Sequence, residues 1–459
     1  MWRESKDVTA TTPAVDPAAR SRTEGEQLGC FIAPMSHLDL TFMGTMEETL
    51  SRGCKIFSRA LELLDRQADF RFFLEYVVFL EAFTTYHPEL SSKLEGYVKD
   101  GRVQLGAEWS GIMVATEEEE DLIRNVLLAK LYVLEHYGVD LDTLQLTDIP
   151  GVVPQLPQLC RGLGVRNLVV TRCAPPDRLF WYVGPDGSEV LVWSANGYNR
   201  AAAFGSHIST GAMEEKGLAA HLGECTVPPL LYYGSDLYLP AETLARTSAE
   251  FSSSHPGTPV RLTTPSAYFS SLPDDFVENA PRWSGTLPST WLYQEPCHAN
   301  ITRLDSVATG MLTAAERWAT LAWLKVGLAY PSQELGDLWK TLLRGRDHNF
   351  AGRGAEVGQA RKLAERRAVR HRAELVRNRA LAAIAERAEV EPNSVPVVVF
   401  NVLNWPRTDI VQPPFGKVQG WTGLDRDEVE AGGVVVLLPA QERQVVPGKL
   451  AFGQRARAG

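Results

Sequence analysis

The feature that most constrains the fold is an alternation of short apolar runs with helical segments between Leu28 and Asp236. The clearest runs, each ending in polar or turn residues, are LGCFIAPMSHLD, RVQLGAEW, TLQLTDIPG, GVRNLVVTR, SEVLVWSA and PPLLYYGSD. Among the helical segments, EEEEDLIRNVLLAKLYVLEHYG has acidic residues in its first turn, an amphipathic body and a terminal glycine. This alternation predicts a parallel sheet or barrel, whose active site would lie at the C-terminal ends of the strands.

The later part of the sequence follows a different pattern. From about Trp283 onward, apolar residues recur at helical spacing around Leu312 to Val326, in LGDLWKTLLRG, and in a charged segment from about Gln359 to Ala388. A proline-bounded apolar run, VEPNSVPVVVFNVLNWPR, then predicts a strand. A chain of 459 residues exceeds what one hydrophobic core usually supports, so these changes of pattern indicate separate structural units.

Charge and cysteine content narrow the expected partners and compartment. The net charge of -10 disfavours nucleic acids and anionic membrane surfaces as partners, and a neutral substrate suits it better. The six cysteines are scattered without close pairs, which favours the reduced cytoplasm. The N-terminal segment lacks the apolar core of a signal peptide, and no apolar run of about eighteen residues predicts a membrane-spanning helix.

The sharpest local motif is the S-H-L-D sequence at residues 36–39, at the end of the first apolar run. Alternation along an extended strand points His37 and Asp39 to the same side, so that both can reach one ion. Imidazole and carboxylate groups suit zinc and related divalent ions, although an isolated pair of this kind is more often structural. Three further candidates stand at the ends of later segments: Asp148, Asp236 and His348.

These motifs, in this order, resemble glycoside hydrolase family 38, the metal-dependent α-mannosidases, from about Phe31 to Arg407. SHLDLTFMGT resembles the family's H-x-D segment, TDIPG its D-x-x-G turn, YYGSD its G-x-D turn and DHNFAG its later histidine motif. VVVFNVLNWPR resembles the strand that opens the family's C-terminal β-region. The resemblance implies one divalent metal ion, expected to be zinc, with four ligands: His37, Asp39, Asp148 and His348.

The same resemblance implies a retaining glycoside hydrolase that cleaves terminal α-mannosyl residues from a mannose-containing oligosaccharide or glycoside. Such an enzyme needs two carboxyl groups on opposite sides of the scissile bond. The resemblance assigns Asp148 as the nucleophile and Asp236 as the acid/base. One departure is Ser235, which precedes the acid/base residue where the family often has a second aspartate.

Three other side chains are candidates for contact with the sugar. Phe42 occupies the place where the family commonly has a tryptophan as the sugar platform, and phenylalanine can also stack on a pyranose. Arg172 suits a substrate hydroxyl and a neighbouring carboxylate equally well. Trp109 suits the pocket, but a core or rim position is at least as typical of tryptophan.

The expected fold class is α/β, a distorted (β/α) barrel with mainly parallel strands, followed by a helical bundle and the start of a β-domain. The expected segments are a disordered tail (1–27), the barrel catalytic domain (28–275), the helical bundle (276–389) and an incomplete C-terminal β-domain (390–459). In this arrangement the helical part returns His348 to the ends of the strands.

Two other functions stay open at this level. A metal-dependent carbohydrate deacetylase also combines an α/β barrel with aspartate and histidine ligands. A catalytically silent carbohydrate-binding protein is the non-enzymatic alternative, motivated by the short β-rich region. Each candidate also has a structural alternative, since histidines can satisfy local backbone groups and aspartate is common in turns. The natural glycan, its linkage and the oligomeric state, including a possible homo-oligomer, are not determined by the sequence.

Overall fold

The computed structural model describes residues 29–175, 177–195, 197–199, 215–288, 298–349, 352–388, 397–401 and 434–437. The predicted tail and most of the predicted β-domain lie outside these residues. Twelve strands lie within them: β1 (Cys30–Pro34), β2 (Phe72–Tyr76), β3 (Val103–Glu108), β4 (Thr143–Leu146), β5 (Asn167–Val170), β6 (Arg178–Val183), β7 (Glu189–Ser194), β8 (Leu230–Tyr233), β9 (Val260–Leu262), β10 (Arg282–Ser284), β11 (Val397–Phe400) and β12 (Val434–Leu437).

The same described residues contain twelve α-helices and a short 3₁₀ helix at Pro88–Leu90. The α-helices are α1 (Met46–Arg66), α2 (Val77–Tyr86), α3 (Ser91–Lys99), α4 (Glu119–Tyr137), α5 (Leu156–Gly162), α6 (Glu215–Glu224), α7 (Leu244–Ser254), α8 (Pro265–Ser271), α9 (Asp274–Glu278), α10 (Ala299–Val326), α11 (Ser332–Gly345) and α12 (Ala355–Ala385). None of the described helices is both long enough and apolar enough to cross a membrane.

The strands are mainly parallel, as predicted. β1 pairs in parallel with β8 and β9, β2 pairs in parallel with β3, and a five-stranded sheet has the order β10-β6-β7-β5-β4. Within that sheet β6 and β7 are antiparallel and the other pairs are parallel. β11 and β12 form a separate antiparallel pair. The chain therefore has a mixed α/β fold in which the ends of several parallel strands face the same side.

Strand β6 was not identified from the sequence, although a local signal for it exists. Five residues, 184–188 (GPDGS), separate it from β7, and Gly187 has a φ of 81°. The Ser188 amide donates to the Asp186 carboxylate at 3.0 Å, and the Gly184 amide donates to the Ser188 carbonyl at 2.8 Å. A Pro-Asp-Gly turn between two apolar runs is typical of a hairpin, which explains the antiparallel pair in a parallel sheet.

Helix α1 defines the end of the segment that carries the H-x-D motif. Thr45 and Glu48 form a capping box: the Thr45 amide donates to the Glu48 carboxylate at 2.9 Å, and the Glu48 amide donates to the Thr45 hydroxyl at 3.4 Å. The helix buries Ile56, Phe57 and Leu64 in the main core. The residues between β1 and α1 are therefore held at both ends.

Three long helices, α10, α11 and α12, pack on one another. Their shared core consists of apolar side chains: Ala308, Leu312, Ala315, Ala319, Leu335, Leu338, Trp339, Leu342, Val369, Ala373 and Val376. α10 begins at Ala299, well before the predicted stretch at Leu312. The prediction missed its first turns because they carry mixed polar residues without a clear apolar spacing. After α11 the chain returns to the strands, where Asp347 forms an antiparallel bridge with Ile112.

The sheet extends past the predicted domain boundary at residue 275. β10 pairs in parallel with β6, with Arg282 opposite Trp181 and Ser284 opposite Val183. Beyond the helices, Phe400 on β11 contacts Trp318 on α10, with ring centroids 5.2 Å apart. The predicted strand at VVVF is thus present and packs against the helical part.

Candidate metal centre and active site

His37 and Asp39 lie between β1 and α1, at the C-terminal end of a parallel strand. Beyond β1 the chain still pairs with the segment after β8: the His37 amide donates to the Ser235 carbonyl at 3.2 Å, and the Leu237 amide donates to the His37 carbonyl at 2.8 Å. Both side chains are buried. His37 Nε2 lies 3.1 Å from Asp39 Oδ1, so the two groups of the H-x-D pair converge.

His348 reaches the same point from the turn after α11. Its backbone amide and its Nδ1 both donate to the Gly111 carbonyl, at 2.8 and 3.1 Å. In the neutral imidazole, Nε2 then presents its lone pair and lies 3.3 Å from Asp39 Oδ1. Asn349 donates its amide nitrogen to the same oxygen at 2.5 Å. The ligand atoms of His37, Asp39 and His348 lie within 4.8 Å of one another, close enough to share one ion.

Glu75 on β2 orients His37 and was not identified from the sequence. His37 Nδ1 donates to the Glu75 carboxylate, at 3.0 and 3.1 Å from its two oxygens, and the Leu38 amide donates to it at 2.8 Å. His37 Nε2 is buried, and although Asp39 Oδ1 lies 3.1 Å away, no described residue meets it with hydrogen-bond geometry. A carboxylate behind one ring nitrogen, with the other nitrogen left for an ion, is typical of metal-binding histidines, so these residues fit a divalent metal.

The charges of the cluster favour a bound cation. Burial opposes charge on His37, but Glu75 and Asp39 outweigh it and raise the pKa of His37 well above its usual value. Burial also opposes charge on His348, whose pKa Asp347 and Asp39 nevertheless raise to about 9. Burial would raise the pKa of Asp39, but the two histidines hold it below its usual value. The buried carboxylates therefore attract positive charge, whether as protons or as a metal ion.

Asp148 approaches the cluster from the turn after β4. Its φ of 55° lies in the left-handed region, which aspartate tolerates better than most residues, and Gly151 at a φ of 85° completes the D-x-x-G turn. Asp148 Oδ2 lies 3.9 Å from His348 Nε2, while Oδ1 accepts from Arg172 Nε at 2.7 Å. Arg172 thus holds a neighbouring carboxylate, one of its two predicted uses. The structure thus brings three predicted ligands together, His37, Asp39 and His348, and Asp148 lies beside them through its contact with His348.

Asp236 lies just after β8 and forms a parallel bridge with His37. The Tyr198 hydroxyl donates to Asp236 Oδ1 at 2.8 Å, and the Tyr198 ring lies 4.7 Å from the His37 ring. Burial raises the pKa of Asp236, which favours a protonated carboxyl group. Tyr198 was also missed by sequence reasoning, because it follows a strand in an unremarkable turn and gains its role only from Asp236.

Two predicted sugar contacts have different surroundings. Phe42 is half-buried and packs closely against Gly352, in the segment after His348. The approach is so close that a Cβ added at Gly352 would lie 2.3 Å from the Phe42 carbonyl oxygen. Its use as a sugar platform stays a prediction.

Trp109 is 1% exposed and packs in the main core, with its ring centroid 4.8 Å from Lys340 Nζ. This position favours the core role over the predicted sugar contact, because the ring presents no surface to a ligand.

Comparisons with known proteins agree with this architecture. Human "Alpha-mannosidase 2C1" is 24% identical over 395 residues, which cover 82% of this chain and 37% of that protein. The Saccharomyces cerevisiae "Alpha-mannosidase" is 22% identical over 353 residues, which cover 68% of this chain and 30% of that protein. The chain thus spans well under half the length of these relatives.

A solved structure shows the same fold. An alpha-mannosidase from Enterococcus faecalis V583 superposes with a TM-score of 0.73 at 18% identity, covering 84% of this chain and 46% of that one. In addition, the profile "Glycosyl hydrolases family 38 N-terminal domain" matches residues 27–286, which is more than half of the chain. The chain therefore belongs to glycosyl hydrolase family 38.

Proposed function

We propose that this chain carries the catalytic site of a retaining α-mannosidase, which hydrolyses terminal α-mannosyl residues of a glycoside or oligosaccharide. The observation that carries the proposal is the buried cluster of His37, Asp39 and His348 beside Asp148, in a chain of this family. One divalent ion, expected to be zinc, would be held by these four residues. When bound, such an ion supplies Lewis-acid orientation of the sugar hydroxyls next to the reacting carbon.

The two carboxyl groups divide the chemistry between them. Asp148 attacks the anomeric carbon, with Arg172 holding the carboxylate by bonds of 2.7 and 2.5 Å from Nε and Nη2 to Oδ1. Asp236 protonates the leaving oxygen and then removes a proton from the water that cleaves the glycosyl ester on Asp148. The raised pKa of Asp236 suits the first of these tasks, because the acid must hold its proton until the bond breaks.

We also infer the finer architecture that this site needs. Trp193 Nε1 on β7 donates to the Leu230 carbonyl on β8 at 2.9 Å, and a parallel bridge joins Met35 to Phe73 next to β1 and β2. These links support closure of the strands into a distorted barrel. We propose that a helical bundle and the start of a β-domain follow it. The described cysteines are buried thiols that form no disulfide with one another, which supports a cytoplasmic location.

The proposal is tested by incubating the purified full chain with an aryl α-mannoside and following aryl alcohol release. Proton NMR of the first sugar formed should show the α-anomer, because a retaining mechanism inverts the carbon twice. The matching aryl β-mannoside serves as the control and should not be cleaved. Release of acetate from an acetylated sugar would favour the deacetylase instead, and mannoside binding without turnover would favour the silent carbohydrate-binding protein.

Removal of either histidine is expected to abolish stoichiometric metal binding. His37→Ala and His348→Ala each delete a ligand nitrogen from the three-residue cluster and leave Asp39 without one of its partners at 3.1 or 3.3 Å. Metal content after gel filtration, measured by mass spectrometry, should fall from about one ion per chain to near zero. His255→Ala, a partly buried histidine at the end of α7, is the control and should retain metal. Unchanged metal content in both site variants would defeat the assignment.

Replacing Tyr198 with phenylalanine is expected to shift the basic limb of the kcat/KM profile to higher pH. The Tyr198 hydroxyl donates to Asp236 and thereby favours its ionised form, against the effect of burial. Without that bond the pKa of Asp236 rises further, so the carboxyl group stays protonated to higher pH. Tyr268→Phe, which removes a buried hydroxyl bonded to the Pro228 carbonyl, should leave the profile in place. A shift to lower pH would contradict this role.

A further inference from the structure

The turn that carries His348 is held by the long helix α12. Lys362 Nζ donates to the Asp347 carbonyl at 2.8 Å and to the Asn349 carbonyl at 2.6 Å. These are the backbone groups immediately before and after His348. Lys362 therefore holds the carbonyl groups of the two residues on either side of the histidine, without contacting the imidazole itself.

The lysine is placed for this contact by its own helix. Lys362 is 1% exposed, and one turn later Arg366 Nη1 donates to the Lys362 carbonyl at 3.1 Å. Arg366 Nη2 also donates to the Gly345 carbonyl at 2.8 Å, at the start of the same turn. Burial of an ammonium group is costly unless its donors are satisfied, and here backbone carbonyls of one turn satisfy at least two of them.

The other side of the turn is fixed independently of α12. The Gly111 carbonyl accepts from both the amide and Nδ1 of His348, and the Thr41 hydroxyl donates to the Asn349 carbonyl at 3.1 Å. The position of the imidazole thus depends on hydrogen bonds from two directions: those of Gly111 and Thr41 near the strands, and those of Lys362 on α12.

We propose that Lys362 is a positioning residue that sets the metal affinity of the site by holding the backbone on both sides of His348. The inference rests on the metal site of the proposed function and adds to it a contribution from the helical part. Loss of the ammonium group removes one donor from each of the two carbonyls, lets the turn relax and moves His348 Nε2 away from Asp39. Metal binding then has to order the turn, and the affinity falls accordingly.

The experiment compares Lys362→Met with Val369→Ala in the full chain. Methionine keeps most of the lysine's length and removes its donors. Val369 lies on the same helix, is 1% exposed and belongs to the shared helical core, so its truncation loosens α12 without touching the turn. Co²⁺ is titrated into each metal-free protein and followed by its visible absorption, and Zn²⁺ affinity is obtained by displacement of the Co²⁺. The Tm of each metal-free protein is measured in parallel.

Lys362→Met is expected to bind both ions about 10-fold to 100-fold more weakly, the range found for groups that orient metal ligands, with an altered Co²⁺ spectrum. Val369→Ala should lower the Tm and leave the Co²⁺ affinity within about threefold. Equal affinity of Lys362→Met and wild type overturns the inference, as does an equal loss in Val369→Ala. If wild type itself takes up no Co²⁺, the proposed metal site and this inference both fall. Should Lys362→Met not fold, Lys362→Gln replaces it with the same expected direction.

Discussion

Replacing Asp148 with alanine is expected to lower kcat for an aryl α-mannoside by about 10⁴-fold or more, since the group that forms the covalent bond to the sugar is lost. The variant also loses a proposed metal contact, so its metal content is measured alongside. Sodium azide should restore turnover and yield the β-mannosyl azide, because the small anion enters on the face that Asp148 used. This product distinguishes a missing nucleophile from a missing metal ligand.

The control for this prediction is Asp142→Ala. Asp142 immediately precedes β4, whereas Asp148 follows it, and its carboxylate accepts from Thr143 and Ser266 at 2.9 and 3.1 Å. Its loss perturbs the opposite end of the same strand and should leave kcat within a few-fold of wild type. Full activity in Asp148→Ala would rule out Asp148 as the nucleophile.

Replacing Arg346 with methionine is expected to destabilise the protein by about 3–5 kcal/mol, the range for a buried ion pair that loses one partner. The Arg346 side chain is 3% exposed, and its guanidinium contacts Glu117, lies 2.7 Å from Asp121 Oδ2 and donates to Thr309 at 2.7 Å. Methionine leaves these buried carboxylates without their cation. Urea unfolding of the metal-free protein measures the loss of unfolding free energy. The slope of this free energy against urea concentration is compared with that of wild type, since an unchanged slope shows that stability alone has changed.

Arg379→Met is the matched control for Arg346→Met. Arg379 lies on α12 and pairs with Glu334 at 2.6 Å, but its side chain is 60% exposed. An exposed pair contributes less than about 1 kcal/mol, so the urea midpoint should barely move. The loss of unfolding free energy in Arg346→Met should also become smaller as the pH falls, since buried carboxylates without a cation take up protons. Equal stability of the two variants would show that the buried cluster is energetically unimportant.

The parts of the fold that could be predicted from the sequence are those with a local signal. Apolar runs ending in polar residues predicted the parallel strands, and the same polar residues include His37, Asp148 and Asp236. Helix α4 was recognisable from its acidic first turn and from Gly138, whose φ of 70° ends it. In each case a few neighbouring residues carry the whole pattern.

The parts that could not be predicted depend on contacts between distant segments. Glu75 is a single carboxylate in an apolar strand, a signal of something unusual but not of its partner 38 positions earlier in the chain. Tyr198 and Lys362 carry no motif, and their roles arise from where Asp236 and the His348 turn happen to lie. Trp109 shows the converse: the sequence was compatible with both a pocket role and a core role, and only the packing in the main core favours the second.

The path of the chain into the site has a consequence for how this architecture can be rearranged in evolution. His37, Asp39 and Asp148 come from the α/β part, but His348 arrives only after α11, beyond the end of the profile match at residue 286. A recombination breakpoint anywhere between Ser284 and His348 would separate one corner of the cluster from the other three. Gene fusions and shuffled descendants that keep the chemistry are therefore expected to inherit both parts as one block.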